Sequence, residues 1–378
     1  MDRFGIYVHI PFCKQKCKYC DFISFASYEE KYKEYVESLI NEIKNKKIEN
    51  SKLVNTIYIG GGTPSILNSE YIINILDAIK ERFKLDEECE ITIEINPGTI
   101  TKTKLEDYKN AGINRLSIGL QSTSDRILNL IGRIHSYEDF LNTYKLAKEV
   151  EFENINVDLM LAIPTQTEIE LLDSVQKVID LNPNHISLYS LILEEGTELE
   201  KMISEGKYEL LSEEIERNMY WETKKLLESN GYNHYEISNF SKLGFESKHN
   251  RDCWNQEEYI GFGLAAHSYY NNMRFANINS LENYINNIKN NNIEKNVEVH
   301  EVQDKPSKMR EFMLIGLRQI NGVKISDFER KFRINPLFYF RFEISKLTDE
   351  DLIEVDLDNI KLTEKGLDLA NQVFEEFI

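Results

Sequence analysis

Six short segments of alternating character recur through the first half of the chain: GIYVHI (5–10), TIYIG (56–60), EITIEIN (90–96), RLSIGLQ (115–121), INVDLM (155–160) and HISLYSL (185–191). Their period of two marks strands. Longer stretches between them, such as EEKYKEYVESLINEIKN (29–45) and NSEYIINILDAIKERF (68–83), carry apolar residues at helical spacing. Strands that alternate with helices return to one sheet in parallel, so the pattern predicts six β/α units.

Side chains in a strand alternate between faces, which splits each segment into two sets. One set is aliphatic: Ile6, Val8, Ile10, Ile57, Ile59, Ile91, Ile93, Ile95, Leu116, Ile118, Leu120, Val157, Leu159, Ile186 and Leu188. The other is polar: Tyr7, His9, Thr92, Glu94, Asn96, Arg115, Ser117, Gly119, Gln121, Asn156, Asp158, His185, Ser187 and Tyr189. A closed eight-stranded barrel fills its interior with branched apolar layers, whereas a polar inner face predicts a ligand cavity in a wider or incompletely closed barrel. An open sheet with one solvated face is the alternative, but parallel sheets are normally covered on both sides.

The first strand runs into YVHIPFCKQKCKYCDF, which places Cys13, Cys17 and Cys20 close together in a chain of 378 residues with five cysteines. That end of a strand is where α/β barrels keep their active sites. Cys89 and Cys253 lie far off and the number is odd, so metal or redox chemistry is expected ahead of a disulfide framework. A structural zinc site normally shows four ligands, and only His9 is near enough in sequence to complete one. Three thiolates on a four-iron cluster would instead leave one iron free for an exogenous molecule. Further polar residues follow later strands. GGGTP (60–64) is an unhindered turn, Glu94 faces the cavity, Gln121 closes the fourth strand, GRIH supplies Arg133, and Asp158 points inward.

Taken in order, YVHIPFC, C-x3-C-x2-C-D-F, GGGTP, EINPG, GLQS, GRIHS and VDLMLAIPTQT resemble the radical S-adenosylmethionine (SAM) superfamily, and within it the oxygen-independent coproporphyrinogen III oxidase family. The resemblance runs over nearly the whole chain. It implies a partial (β/α)6 barrel in which Cys13, Cys17 and Cys20 hold a [4Fe-4S] cluster and Tyr7, Gly61 and Glu94 contact the SAM on its open iron. It also maps Phe22, Gly62, Thr63, Gln121, Arg133 and Asp158 onto positions that contact a second SAM in the oxidase.

Two branches of that family differ in function: the oxidase, which decarboxylates two propionates of its substrate, and a branch of haem chaperones. The oxidase pattern has a fourth cysteine where this chain has Phe22, and a substantial extension where six residues precede Tyr7. Both details favour the chaperone branch. The segment KHNRDCWN (248–255) resembles the H-N-x-x-Y-W segment of that branch and makes His249 the candidate haem ligand, imidazole being a usual iron donor. Cys253 stands where tyrosine is expected, and Leu264 and Ala265 where GPGAHS would be usual. If the segment is helical, Cys253 shares a face with His249 and is a second candidate; otherwise the two are a buried small hydrophobe and a structural hydrogen-bonding histidine.

From about Glu301 the pattern changes. KMREFMLIGLRQINGV reads as a helix closed by Asn-Gly, KISDFERKF as another, and the rest as strand, turn, strand and final helix, an order similar to a winged helix. The expected domains are 1–240 (barrel), 241–298 (connecting segment, with the Asn-rich tract 286–296 as linker or exposed helix end) and 299–378 (small α+β domain). The start MDRFGIYVHI shows no leader pattern and no run is long and apolar enough for a membrane span, so the cytoplasm is the expected compartment. A net charge of −19 argues against a nucleic-acid surface. The resemblance implies haem or a porphyrin as ligand, an apo-haemoprotein as acceptor, and a one-electron donor such as flavodoxin or ferredoxin. Three functions follow: haem chaperone, porphyrinogen-decarboxylating enzyme, or a non-catalytic protein with a structural metal.

Overall fold

The computed structural model describes residues 3–48 and 52–378; Met1 and Asp2, which open the start read above for a leader, lie outside the described residues. All six expected strands form: β1 (Arg3–Ile10), β2 (Leu53–Gly61), β3 (Leu85–Ile95), β4 (Arg115–Gln121), β5 (Asn154–Leu161) and β6 (His185–Ser190). They lie side by side in chain order and pair in parallel. Helices α1 (Tyr32–Asn45), α2 (Ser69–Arg82), α3 (Lys102–Asn110), α4 (Tyr137–Glu149) and α5 (Glu168–Leu181) make the crossovers, and α6 (Glu213–Ser229) follows β6. Capping boxes fix where two of them begin: Ser136 with Asp139 opens α4, and Thr167 with Glu170 opens α5.

The aliphatic set packs as the alternation demands. Ile6, Val8, Ile57, Ile59, Ile93, Ile118, Val157 and Ile186 are fully buried in one core with Leu39 and Ile43 of α1, Ile75 and Ile79 of α2 and Val175 of α5. Each such side chain contributes about 1.5–3 kcal/mol relative to exposure. The polar set faces inward on the concave side.

Strands β7 (Asn233–Glu236) and β8 (Asn239–Ser241) extend the sheet beyond β6, antiparallel. At the other edge β9 (Tyr259–Phe262) runs parallel to β1, followed by antiparallel β10 (His267–Tyr270), β11 (Met273–Asn277) and β12 (Val297–Val302). The sheet order is β12-β11-β10-β9-β1-β2-β3-β4-β5-β6-β8-β7. The segments 259–262, 267–270, 273–277 and 297–302 are thus strands of the sheet, where the sequence suggested a connector ending at 298, and β12 crosses the expected boundary. The Asn-rich tract is likewise no linker. It continues α8 (Leu281–Lys289), between α7 (Lys248–Trp254) and β12, and buries Ile288, Ile293 and Asn296. The Asn296 side chain donates to the Tyr284 carbonyl at 3.1 Å, whereas Asn286, Asn290 and Asn291 are exposed at the end of α8, the other reading of this tract.

The C-terminal unit contains, in order, α9 (Lys305–Gly316), β13 (Val323–Lys324), α10 (Ile325–Phe332), a helical turn at Pro336–Tyr339, α11 (Arg341–Asp349), β14 (Ile353–Val355), β15 (Asn359–Leu362) and, where the sequence expected a final helix, two short ones, α12 (Glu364–Asp368) and α13 (Ala370–Glu375). Its three strands pair as β13-β15-β14 over a core of Met313, Phe328, Phe340, Leu347, Ile360 and Val373. Helix α9 ends at Gly316 and not at Asn321-Gly322. That pair makes the turn into β13, where Gly322 has φ +64 and a Cβ would come within 2.0 Å of the Ile360 carbonyl. Arg274 of β11 reaches Glu311 of α9 at 2.6 Å and ties the unit to the sheet.

Candidate functional site

A cavity of about 380 Å³ opens at the C-terminal ends of β1 to β6. Its walls contain Cys13, Cys17, Cys20, Phe22, Gly61, Gly62, Thr63, Glu94, Gln121, Arg133 and Asp158. The fold therefore gathers into one place residues spread over nearly 150 positions. Tyr7, His249 and Cys253 are not among its lining.

The cysteine loop is anchored at several points. Phe12 and Cys13 pair in parallel with Phe25 and Ala26, the Lys18 amide donates to the Ile131 carbonyl (3.0 Å), and the Gln15 side chain donates to Gly132 (3.1 Å). Thr63 Oγ1 donates to Cys13 Sγ and Arg133 Nη1 to Cys17 Sγ, each at 3.5 Å. Burial pushes the Cys13 thiol up and the Cys20 thiol up to about 11, so thiolates here need a compensating cation such as iron. Among the described residues no three His, Cys, Asp or Glu side chains converge on one metal-ion position. Three sulfurs spread around one cavity mouth fit a polynuclear cluster, whose ligands bind separate irons.

Each glycine of the GGGTP turn has a neighbour that a side chain would strike. A Cβ on Gly60 would lie 2.9 Å from Glu94 Oε1, one on Gly61 2.5 Å from the His9 ring, and one on Gly62 2.7 Å from the Phe12 carbonyl and 3.0 Å from Cys13 Sγ. The turn is bare because the cysteine loop and Glu94 press against it. Glu94 accepts from Tyr58 Oη (2.9 Å) and from the Gly61 amide (3.0 Å), and burial pushes its carboxyl up to about 7. Tyr7 stacks on Tyr58 and donates to His9 Nδ1 at 2.9 Å, while His9 Nε2 donates to the Ile23 carbonyl at 3.0 Å. Tyr7 is thus one ring removed from the cavity wall, and burial raises its hydroxyl pKa.

Arg133 crosses to β4, donating through Nη2 to Asn96 Oδ1 (2.7 Å) and the Gly119 carbonyl (2.6 Å). Gly119 gives it room: a Cβ there would sit 3.2 Å from Nη2. Gln121 ends β4 at φ +71, an uncommon backbone for a non-glycine residue that turns the chain away at the cavity lip. Asp158 accepts from Asn156 Nδ2 (2.7 Å) and Ser117 Oγ (3.5 Å), and burial raises its pKa. Tyr58 was absent from the sequence-derived set, although alternation from Ile57 and Ile59 places it on the polar face. Asn96, Ser117 and Tyr189 were assigned to that face without a role, yet they line the cavity.

His249 and Cys253 do lie on one helix, α7, but at the other end of the barrel. His249 is buried against Gly5, its Nδ1 bonded to Thr56 Oγ1 (2.8 Å) and its ring tilted on Tyr58. The Glu90 carboxylate accepts from its backbone amide (3.2 Å). Burial, with the Arg115 charge adding to it, pulls the imidazole down to about 4. Burial likewise pushes the Cys253 thiol up to about 12. In this conformation His249 plugs the barrel floor and presents no open ligand face, and Cys253 is half-buried on the same helix; sequence spacing indicated a shared helix but not which end of the barrel it would meet.

Residues 7–178 match the radical SAM superfamily and residues 303–369 the HemN C-terminal domain. The heme chaperone HemW of Lactococcus lactis is 38% identical over 98% of this chain and 96% of its own length. That of Bacillus subtilis is 36% identical over 98% of each chain. Among solved structures, coproporphyrinogen III oxidase (HemN) from Escherichia coli, described as a radical SAM enzyme, superposes with a TM-score of 0.86. It covers 100% of this chain and 90% of its own, at 22% identity, a likeness of fold.

Proposed function

Because the chain belongs to the radical SAM superfamily and to the HemW heme-chaperone branch of its coproporphyrinogen oxidase-like family, we propose that it binds haem and passes it to apo-haemoproteins in the cytoplasm, with a [4Fe-4S] cluster and SAM held at the cavity. The observation that carries the reading is the set of three cysteines that share one cavity with Glu94 and the bare glycine turn. When bound, the cluster supplies one-electron reduction at an iron that has no protein ligand.

The protein's own residues have separable tasks in this reading. Cys13, Cys17 and Cys20 ligate. Gly61 and Gly62 allow backbone approach. Glu94, held by Tyr58 and Gly61, offers its remaining lone pairs to ribose hydroxyls, and Tyr7 packs behind that wall. Arg133 and Asp158 place opposite charges inside the cavity for a zwitterionic ligand, with Gln121, Thr63 and Phe22 at its margins. Phe22 is 61% exposed at the place of the oxidase's fourth cysteine, which supports the chaperone reading over the oxidase. A flavodoxin- or ferredoxin-like protein is the electron donor in this scheme.

The test is anaerobic reconstitution followed by two assays. Iron and sulfide near four per chain, lost in Cys13→Ser, Cys17→Ser or Cys20→Ser, would support the cluster. Stoichiometric haem binding without consumption of coproporphyrinogen III would support the chaperone; turnover of the porphyrinogen without haem binding would overturn it.

A further inference from the structure

The seven histidines of the chain divide by burial. His9, His135, His185, His234 and His249 are buried, whereas His267 and His300 are exposed. Those two rings stand face to face, with centroids 5.7 Å apart and planes 12° from parallel.

The sheet makes this pair. His267 is on β10 and His300 on β12, with β11 between them: His267 lies opposite Ala276, which lies opposite Glu298. Farther along, Phe275 pairs with Val299 and Arg274 with Glu301, so His300 is the extra residue of a β-bulge. A bulge re-aims a side chain. Here it turns His300 over the small Ala276 until it meets His267. Nothing in the packing of the barrel calls for two exposed imidazoles in that arrangement.

The His267 end of the pair lies two strands from β1, the strand that leads into the cysteine loop. β10 neighbours β9, which neighbours β1, and Gly261 of β9 pairs with Tyr7. His9 is close enough for His267 to lower its pKa, though burial lowers it more, and the same His9 bonds Tyr7 and the Ile23 carbonyl just past the cysteine loop.

An imidazole must present a free nitrogen to bind haem iron. By exposure only His267 and His300 meet that condition, and His249 does not. Two rings on opposite sides of one iron need their nitrogens about 4 Å apart in line through the metal, from a metal–nitrogen distance near 2 Å. Nearly parallel rings stacked with centroids 5.7 Å apart do not offer that. We propose that His267 and His300 form the haem-docking site, one imidazole taking the iron and the other standing alongside as a donor to a propionate or as the replacement ligand. The assignment rests on the haem-binding reading above.

The test is a titration of cluster-loaded full-length protein with haem, followed by the Soret band, in wild type, His267→Ala, His300→Ala, the double variant and His249→Gln. Both targets are exposed, so iron content and melting temperature should stay at wild-type values. Each single variant should bind a few-fold more weakly because the other imidazole remains. The double variant should lose the imidazole-ligated Soret band and bind at least about tenfold more weakly, with His249→Gln unchanged. Wild-type-like binding by the double variant overturns this assignment and leaves the haem reading intact. Absence of any Soret shift in wild type overturns both.

Discussion

Glu94 offers a sharp test of the cofactor site. Its carboxyl is pushed from the usual 4.5 up to about 7, chiefly by burial, and hydrogen bonds from Tyr58 and Gly61 only partly offset this. That displacement is worth about 3 kcal/mol against the charged form. If the group accepts from both ribose hydroxyls in its ionised form, binding SAM releases the carboxyl proton to solvent. For a group with a pKa near 7 that binds ligand only when ionised, the apparent dissociation constant falls about tenfold between pH 6 and pH 8 and is nearly flat above that. In the empty protein the sign is the reverse. A carboxyl raised by folding favours the folded state below its unfolded value and withdraws that support as pH climbs from about 4 to about 7. The assay is anaerobic equilibrium dialysis of SAM against cluster-loaded protein from pH 5.5 to 8.5, with Glu94→Gln beside it. The glutamine variant should bind more weakly and lose this part of the pH dependence, leaving what the ligand itself contributes. Equal slopes in wild type and variant would refute the reasoning, since Glu94 would then either stay ionised throughout or not touch the ligand.

Three further substitutions probe the framework. Gly61→Ala, at φ +112 with the His9 ring 2.5 Å from the new Cβ, should cost about 2–3 kcal/mol in urea unfolding and lower iron content; a wild-type melt would contradict the close packing. Arg133→Met strips the donor from the Gly119 carbonyl and Asn96 and from Cys17 Sγ, with an expected loss of about 2–3 kcal/mol by the same assay and weaker SAM binding in dialysis. Lys46→Met leaves the fully buried Glu42 without its 2.9 Å partner and should destabilise by about 3–5 kcal/mol, part of it recovered when Glu42→Gln is added. If the double variant were no better than the single, the penalty would lie in packing and not in the orphaned charge.

The barrel strands and the cavity wall were legible for one reason. A strand's period of two ties face to position, so Ile57 and Ile59 on one side and Glu94 and Asp158 on the other follow from counting. Cys13, Cys17 and Cys20 were legible as one group from spacing, because residues on so short a loop reach the same cavity. Tyr58 follows from the same count, since it alternates with Ile57 and Ile59. The strands after residue 250 were hidden: YIGF and HSYY are short, the pairing of YIGF with β1 is decided by contacts more than 250 residues distant in sequence, and HSYY reaches β1 only through YIGF.

What the sequence determined alone was the six-unit parallel fold, its polar interior, the grouping of three cysteines at one cavity and the family. Local periodicity and short-range spacing are properties of the chain itself. Tertiary structure decided which polar groups are free to meet a ligand. His249 and His267 look equally available in sequence, yet one is locked to Thr56 at the barrel floor and the other stands exposed against His300 across a bulge. Exposure and partnership depend on which strands become neighbours, and that is settled only when the whole sheet closes on its core.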